Sequence, residues 1–287
     1  MTLLDERVLL LGTWYGGFSP PGGPVADLFD SKKETFSPTS QGPGVEHRNP
    51  KAVLLVDGRV LIVSGLSSEA QIYDPESDSF ATLPGTPDLT GYRPTRLLDG
   101  RVLLVRGSKS TSYRYDPDGD SFEGVGPGPS AEGGHVFTLT DGRVIYVGGT
   151  LPDASAQMTY PTDVLEIYEP GGNGFSALPY HLMLPRQSTL TTAMAGDGSL
   201  LVLGGEVGNQ VLISACEVNT FVITDQVERI FPDEGKVEAF PSLPEANFVM
   251  SAATLHDGSI VAAGGAPCGN AVAYPYFYFL EGREVPK

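Results

Sequence analysis

With 287 residues and 40% hydrophobic content, the chain is long enough for one large domain or two ordinary ones, and no stretch has the length and purity that crosses a bilayer. Acidic residues outnumber basic ones 35 to 18, a formal net charge of −17, and the densest basic run, Lys32-Lys33, is followed by Glu34; this field repels phosphate backbones and anionic lipid, so neither nucleic acid nor membrane insertion is expected. Two cysteines, Cys216 and Cys268, and no N-x-[ST] sequon give no sign of a disulfide framework or a glycosylated surface.

At the N-terminus, MTLLDERVLLLGTWYGG places acidic residues before its short apolar run and offers no small-residue cleavage site, the wrong order for a secretion signal. Its core, LLDERVLLLGT at 3–13, reads as strand, turn, strand. The same grammar returns as LLVDGRVLIVSG at 54–65, LLDGRVLLVRG at 97–107, TLTDGRVIYVGG at 138–149, MAGDGSLLVLGG at 194–205 and TLHDGSIVAAGG at 254–265. The turn aspartates stand at 5, 57, 99, 141, 197 and 257, so successive copies are 52, 42, 42, 56 and 60 residues apart. Such periods belong to propeller repeats, and no Trp-Asp dipeptide is present.

Asp-Gly between apolar strands predicts a two-residue type I′ turn, with positive φ at both central residues. Gly148-Gly149, Gly204-Gly205 and Gly264-Gly265 then let the chain leave the second strand by conformations closed to other residues. The other half of each repeat carries two aromatics seven residues apart, Phe29 and Phe36, Tyr73 and Phe80, Tyr115 and Phe122, Tyr168 and Phe175, flanking bends such as DPESDS and EPGGNG. This spacing predicts a second hairpin whose aromatics pack between repeats. The fifth repeat widens to IFPDEGKVEAF and contains an extra run, VLISACEVNTFVI, which reads either as an inserted hairpin or as a shifted third strand.

Without helical periodicity, four strands per unit in six units predict an all-β fold, a six-bladed β-propeller of four antiparallel strands per blade. The whole chain, 1–287, is then one domain, with blades at approximately 1–40, 50–85, 93–126, 134–179, 188–244 and 249–287. The first blade would start at Met1 with its own innermost strand and the last would end near Val285 with its own outermost strand, so closure would rest on side-chain packing.

The pattern L-x-DGRV-x-V-x-G, followed by aromatic, Asp-Pro, turn and Phe, resembles the kelch and galactose-oxidase-like central-domain propellers over nearly the whole chain. The resemblance is specific for fold and weak for function, because that scaffold carries unrelated activities. In kelch-type rings the Asp-Gly turns share one face and the other connections gather on the opposite one. Here the long connections are of the latter kind, at 12–24, 37–50, 149–163 and 179–188. Long loops on a dense scaffold are where binding concentrates. This loop face gives the candidate binding residues Trp14, Tyr15, Phe18, His47, Arg48, Tyr92, Arg93, His135, Tyr160, His181 and Arg186. Aromatics beside arginines suit a protein hot spot or a sugar ring alike.

The galactose oxidase resemblance implies a copper-radical site made of a cysteine-tyrosine cross-link, a Tyr-His dipeptide opening an innermost strand, and a second histidine. Tyr180-His181 lies outside that register, His135 lies in it but follows Gly134, and the cysteines fall in later blades than the family pattern needs. A sialate-epimerase-like chemistry at the central mouth would use Arg48, Arg93 and Arg186 on a carboxylate, with Glu46, Glu132 or a histidine moving protons. DPDGDSFEG at 116–124 has alternating Asp116, Asp118 and Asp120 but no glycine at the sixth position of a calcium loop, and reads as a turn. No G-x-S-x-G, H-E-x-x-H or Walker A sequence occurs.

The expectation is a non-catalytic interaction or structural module without catalytic residues, metal or cofactor, binding a protein partner through the loop face. A glycan receptor module or an epimerase is the alternative. Compact propellers of this kind resemble components of phage tails and virions, so a cytoplasmic or virion-associated location is expected.

Overall fold

The computed structural model describes residues 1–12, 26–44, 50–63, 68–152, 159–187, 190–207, 215–218, 221–255, 257–267 and 277–280. Among them every regular element is a strand. They form two compact units, Met1–Arg106 with Thr111–Pro127, and Gly107–Ser110 with Gly128–Lys287.

The first unit holds three antiparallel sheets, one per repeat. The first sheet is β1 (Val8–Leu11), β2 (Ala26–Asp30) and β3 (Thr35–Pro38), with an isolated bridge from Thr2 to Val8. The second runs in order β4 (Lys51–Leu54), β5 (Val60–Val63), β6 (Ala70–Asp74) and β7 (Ser79–Thr82). The third repeats that order with β8 (Arg93–Arg96), β9 (Val102–Val105), β10 (Thr111–Asp116) and β11 (Ser121–Pro127).

The second unit elaborates the plan. Its fourth sheet contains β12 (His135–Thr138), β13 (Val144–Val147), β14 (Thr150–Pro152), β15 (Thr159–Tyr168) and β16 (Phe175–Arg186). Strand β15 pairs along one edge with β13 and then β14, and along the other with β16. The fifth sheet begins with β17 (Thr191–Met194) and β18 (Leu200–Leu203). Next come β19 (Glu206–Val207), β20 (Ala215–Val218) and β21 (Phe221–Thr224), a small sheet of their own, before β22 (Val227–Phe231) and β23 (Lys236–Phe240) complete the fifth. Strands β19–β21 are therefore an insertion, and the third strand, β22, keeps its place beside β18. The sixth sheet shows β24 (Asn247–Thr254), β25 (Ile260–Pro267) and β26 (Phe277–Leu280).

The second strand of a repeat carries the core. VLIV, VLLV, VIYV and LLVL are buried at all four positions, which is why they read as unbroken apolar runs and not as alternating ones. Neighbouring sheets share apolar clusters: Leu9 and Leu28 with Ile62 and Tyr73, Leu61 and Leu83 with Leu104 and Tyr115, Ile145 and Leu165 with Val202 and Ile230, and Leu203 and Val227 with Met250 and Ile260. The aromatic pairs meet as cross-strand partners within one sheet, with ring centroids at 4.7, 4.7, 5.1 and 5.7 Å in chain order. Tyr73 with Phe80 and Tyr115 with Phe122 also pack against the neighbouring sheet, whereas Phe36 stays exposed.

The Asp-Gly turn departs from the expected type. Leu55 C=O accepts from Gly58 N–H (3.2 Å) and Leu55 N–H donates to Arg59 C=O (2.8 Å), which makes a three-residue loop. Only its last residue has positive φ, +91° at Gly58. This is a type I turn closed by a left-handed residue, and the aspartate accepts instead of twisting: Asp57 Oδ1 takes the Arg59 N–H at 3.0 Å. In the first repeat Glu6 holds that place at φ 72°.

The turn arginine reaches forward into the next sheet. Arg7 donates to Pro75 C=O (3.1 Å), Arg59 to Pro117 C=O (2.7 Å) and Asp120 (3.1 Å), and Arg143 to Asp233 (2.8 Å). Each also pairs with its own turn aspartate. In the fifth repeat Ser199 replaces the arginine, and Arg229 of β22 bonds Ser199 and Asp197 from within the same sheet.

Candidate functional site

The first residues of β4, β8, β12 and β17 share one register, six positions before the turn aspartate, and are Lys51, Arg93, His135 and Thr191. Each pairs with the last residue of its neighbour: Val63, Val105, Val147 and Leu203. In the first unit, burial pushes the Lys51 ammonium below its ordinary pKa and the Arg93 guanidinium adds a like-charge push. In the second, His135 Nδ1 lies 3.4 Å from Thr192 Oγ1.

A separate group lies on the β15–β16 hairpin. The inner side of β16 packs Leu178, Tyr180 and Leu182 into the core. The alternate positions carry His181 and Met183 outward. His181 Nδ1 stands 3.5 Å from Asp163 Oδ1, both side chains about half exposed, while Tyr160 and Met183 are 48% and 57% exposed. The segment 179–188, expected as a loop, is strand to Arg186, and 149–163 includes β14.

Two of the expected contacts turn inward instead. Tyr92 is 5% exposed, donates to Thr111 C=O (2.8 Å), and packs its ring at a tilt against Tyr113, centroids 5.8 Å apart. Arg186 is fully buried: it forks onto Glu228 Oε1 with Nε (3.2 Å) and Nη2 (2.8 Å), while Nη1 donates to the carbonyls of Gly204 and Gln226. Glu228 also accepts from the N–H groups of Met183 (2.5 Å) and Leu184 (3.2 Å). The pair thus cross-links the fourth and fifth sheets. Burial depresses the Arg186 pKa and Glu228 opposes that shift.

Trp14, Tyr15, Phe18, Glu46, His47, Arg48 and Cys268 lie outside the described residues. Glu132 is exposed and bridges Thr150 through its backbone in both directions. The aspartates at 116–120 are spent on the turn, Asp116 accepting from Asp118 N–H and Asp120 from Tyr115 and Arg59. Lys51, Asp163, Met183 and Glu228 were missed in the sequence. Lys51 shares the register of Arg93 and His135, and Met183 the alternation HLML; Glu228 had no such signal.

No family model matches the chain, and no curated protein matches it. Among solved structures it resembles a fungal alcohol oxidase of the AA5 family in complex with copper, at 15% identity and a TM-score of 0.54, over 94% of this chain and 70% of that one. The likeness supports a galactose-oxidase-like all-β fold.

Of the histidines and cysteines that a copper-radical centre would draw on, His135 and His181 alone are among the described side chains. No group of three histidine, cysteine or acidic side chains among them could hold a metal ion. A side chain at Gly134, where the family has its tyrosine, would come within 2.5 Å of the Tyr146 ring. The Tyr146 hydroxyl is itself occupied, accepting from Gly134 N–H (2.7 Å) and donating to Ala131 C=O (2.9 Å).

Proposed function

We propose that the chain is a six-bladed kelch-like propeller, one repeat per blade, that works as a non-catalytic protein-interaction module in a larger assembly such as a phage tail or virion. The observation that carries this reading is the β15–β16 hairpin. Its strands run 10 and 12 residues where those of the second sheet need 5 and 4. The added length presents Tyr160, Met183 and the His181–Asp163 pair, large contact groups that the core does not use. The test is native size fractionation from the source, with mass identification of what travels with the chain. Migration in a complex that survives high salt, and release from it by Tyr160→Ala with Met183→Ser, is expected; migration as a lone monomer overturns the reading.

A further inference from the structure

The turns of the first unit that hold Asp5, Asp57 and Asp99 carry an apolar residue just before the aspartate: Leu4, Val56 and Leu98. They are 67%, 61% and 67% exposed. The turn does not need them, because the same position in the second unit is filled by Thr140 and Gly196. Single exposed apolar side chains are commonplace, but three in one register are not. They also form a row: Leu4 lies 3.1 Å from where a Cβ on Gly58 would sit, and Val56 lies 3.2 Å from the same point at Gly100. Leu4 and Val56 therefore each rest on the next turn.

Acidic clefts alternate with these tips. One, of about 240 Å³, is lined by Leu3, Leu4, Asp5, Asp57, Gly58, Asp74, Pro75 and Glu76, four acids and no base. The next, of about 290 Å³, is its repeat equivalent and holds Asp99, Asp116 and Asp118 against Arg101 alone. Arg101 is already paired with Asp99 at 2.5 Å, as Arg7 and Arg59 are with their own turn aspartates. Asp74 and Asp116 accept backbone N–H groups and stand in no ion pair of their own among the described residues, with Arg59 near the first and Arg101 near the second.

We propose that this turn face of the first unit docks a basic segment of a partner protein, in which apolar side chains cover the row and lysines or arginines enter the clefts between. The alternation of tip and cleft matches an alternation of apolar and basic residues in the partner. A second copy of this chain, at −17, has the wrong charge for the site. The surface differs from the β15–β16 hairpin, so the two proposals fail independently.

The experiment is fluorescence anisotropy of the full chain with a labelled peptide of about 12 residues alternating Lys and Leu, against an equally charged Lys-Ser peptide. The Lys-Leu peptide should bind roughly tenfold or more tightly than Lys-Ser, and weaken with salt. The triple variant Leu4→Ser, Val56→Ser, Leu98→Ser should lose that advantage, Glu76→Gln with Asp118→Asn should weaken both peptides, and Thr140→Ser should change neither. Equal binding of the two peptides, or an unchanged triple variant, would overturn the proposal as general attraction of polycations to an acidic protein. Self-association lost in the triple variant would overturn it in favour of a contact between copies. Should the triple variant misfold, the carboxylate pair and the peptide comparison still decide.

Discussion

The second unit shares the surface arginine clamps of the first and adds a buried one of another kind. In the first, Arg7 and Arg59 lie at the surface, 30% and 26% exposed, and clamp carbonyls and a carboxylate of the next repeat. In the second, the fourth and fifth sheets are also joined by Arg186 and Glu228, 0% and 2% exposed. A regular repeat can rely on many weak, solvated clamps, since each pair contributes little and the loss of one is absorbed. Where the β15–β16 hairpin meets the insertion at β19–β21, one buried pair satisfies two amides and two carbonyls at once. That arrangement is strong against wholesale replacement and fragile to the loss of one partner.

The contrast is broken most severely by Arg186→Met, which strands a buried carboxylate and should cost about 3–5 kcal/mol in urea unfolding. Adding Glu228→Gln should return a large share of the loss; no recovery would show that the arginine acts through its carbonyl contacts instead. A smaller effect separates equivalent tyrosines. Tyr115→Phe deletes a hydroxyl that donates to Asp120 at 2.5 Å and should cost about 1 kcal/mol, whereas Tyr168→Phe removes a buried hydroxyl without a partner and should be neutral or stabilising. Thermal melts of the two single variants read the difference directly.

Acid sharpens the picture further. Burial alone would raise the Asp78 carboxyl, but the bonds it accepts from Ser40 Oγ (2.5 Å), Ser40 N–H (2.8 Å) and Tyr73 (2.8 Å) hold it below its ordinary 3.8. A depressed carboxyl contributes stability above its unfolded pKa and loses it as pH falls through the folded value. Asp78→Asn should therefore shrink the fall in urea midpoint between about pH 5 and pH 3. A modest loss is expected for Arg59→Ala, on the order of 0.5–1 kcal/mol and diminishing with salt.

The repeat, its strands and its aromatic pairs were legible because they are local: apolar runs bounded by turns, and partners seven residues apart. The turn type was misread because Asp-Gly alone does not report loop length; the bond from Leu55 to Gly58 does. The site was less legible. Tyr160 and His181 emerged as exposed groups on one hairpin, but Arg186 looked like a surface ligand because its acid, Glu228, is 42 residues away and in no motif. Tyr92 likewise found Thr111, which only the third sheet brings near.

The forward reach of the turn arginines has a mechanical consequence. A four-stranded sheet has an unpaired edge at its first strand and at its last, and in the second sheet the last is the more exposed and should peel sooner. Arg59 belongs to the first hairpin of its own sheet, beside a fully buried strand, yet it grips the bend between the last two strands of the next. In the second, third and fifth sheets the part that would fray soonest is thus fastened to the first hairpin of its neighbour, and peeling must pull on both.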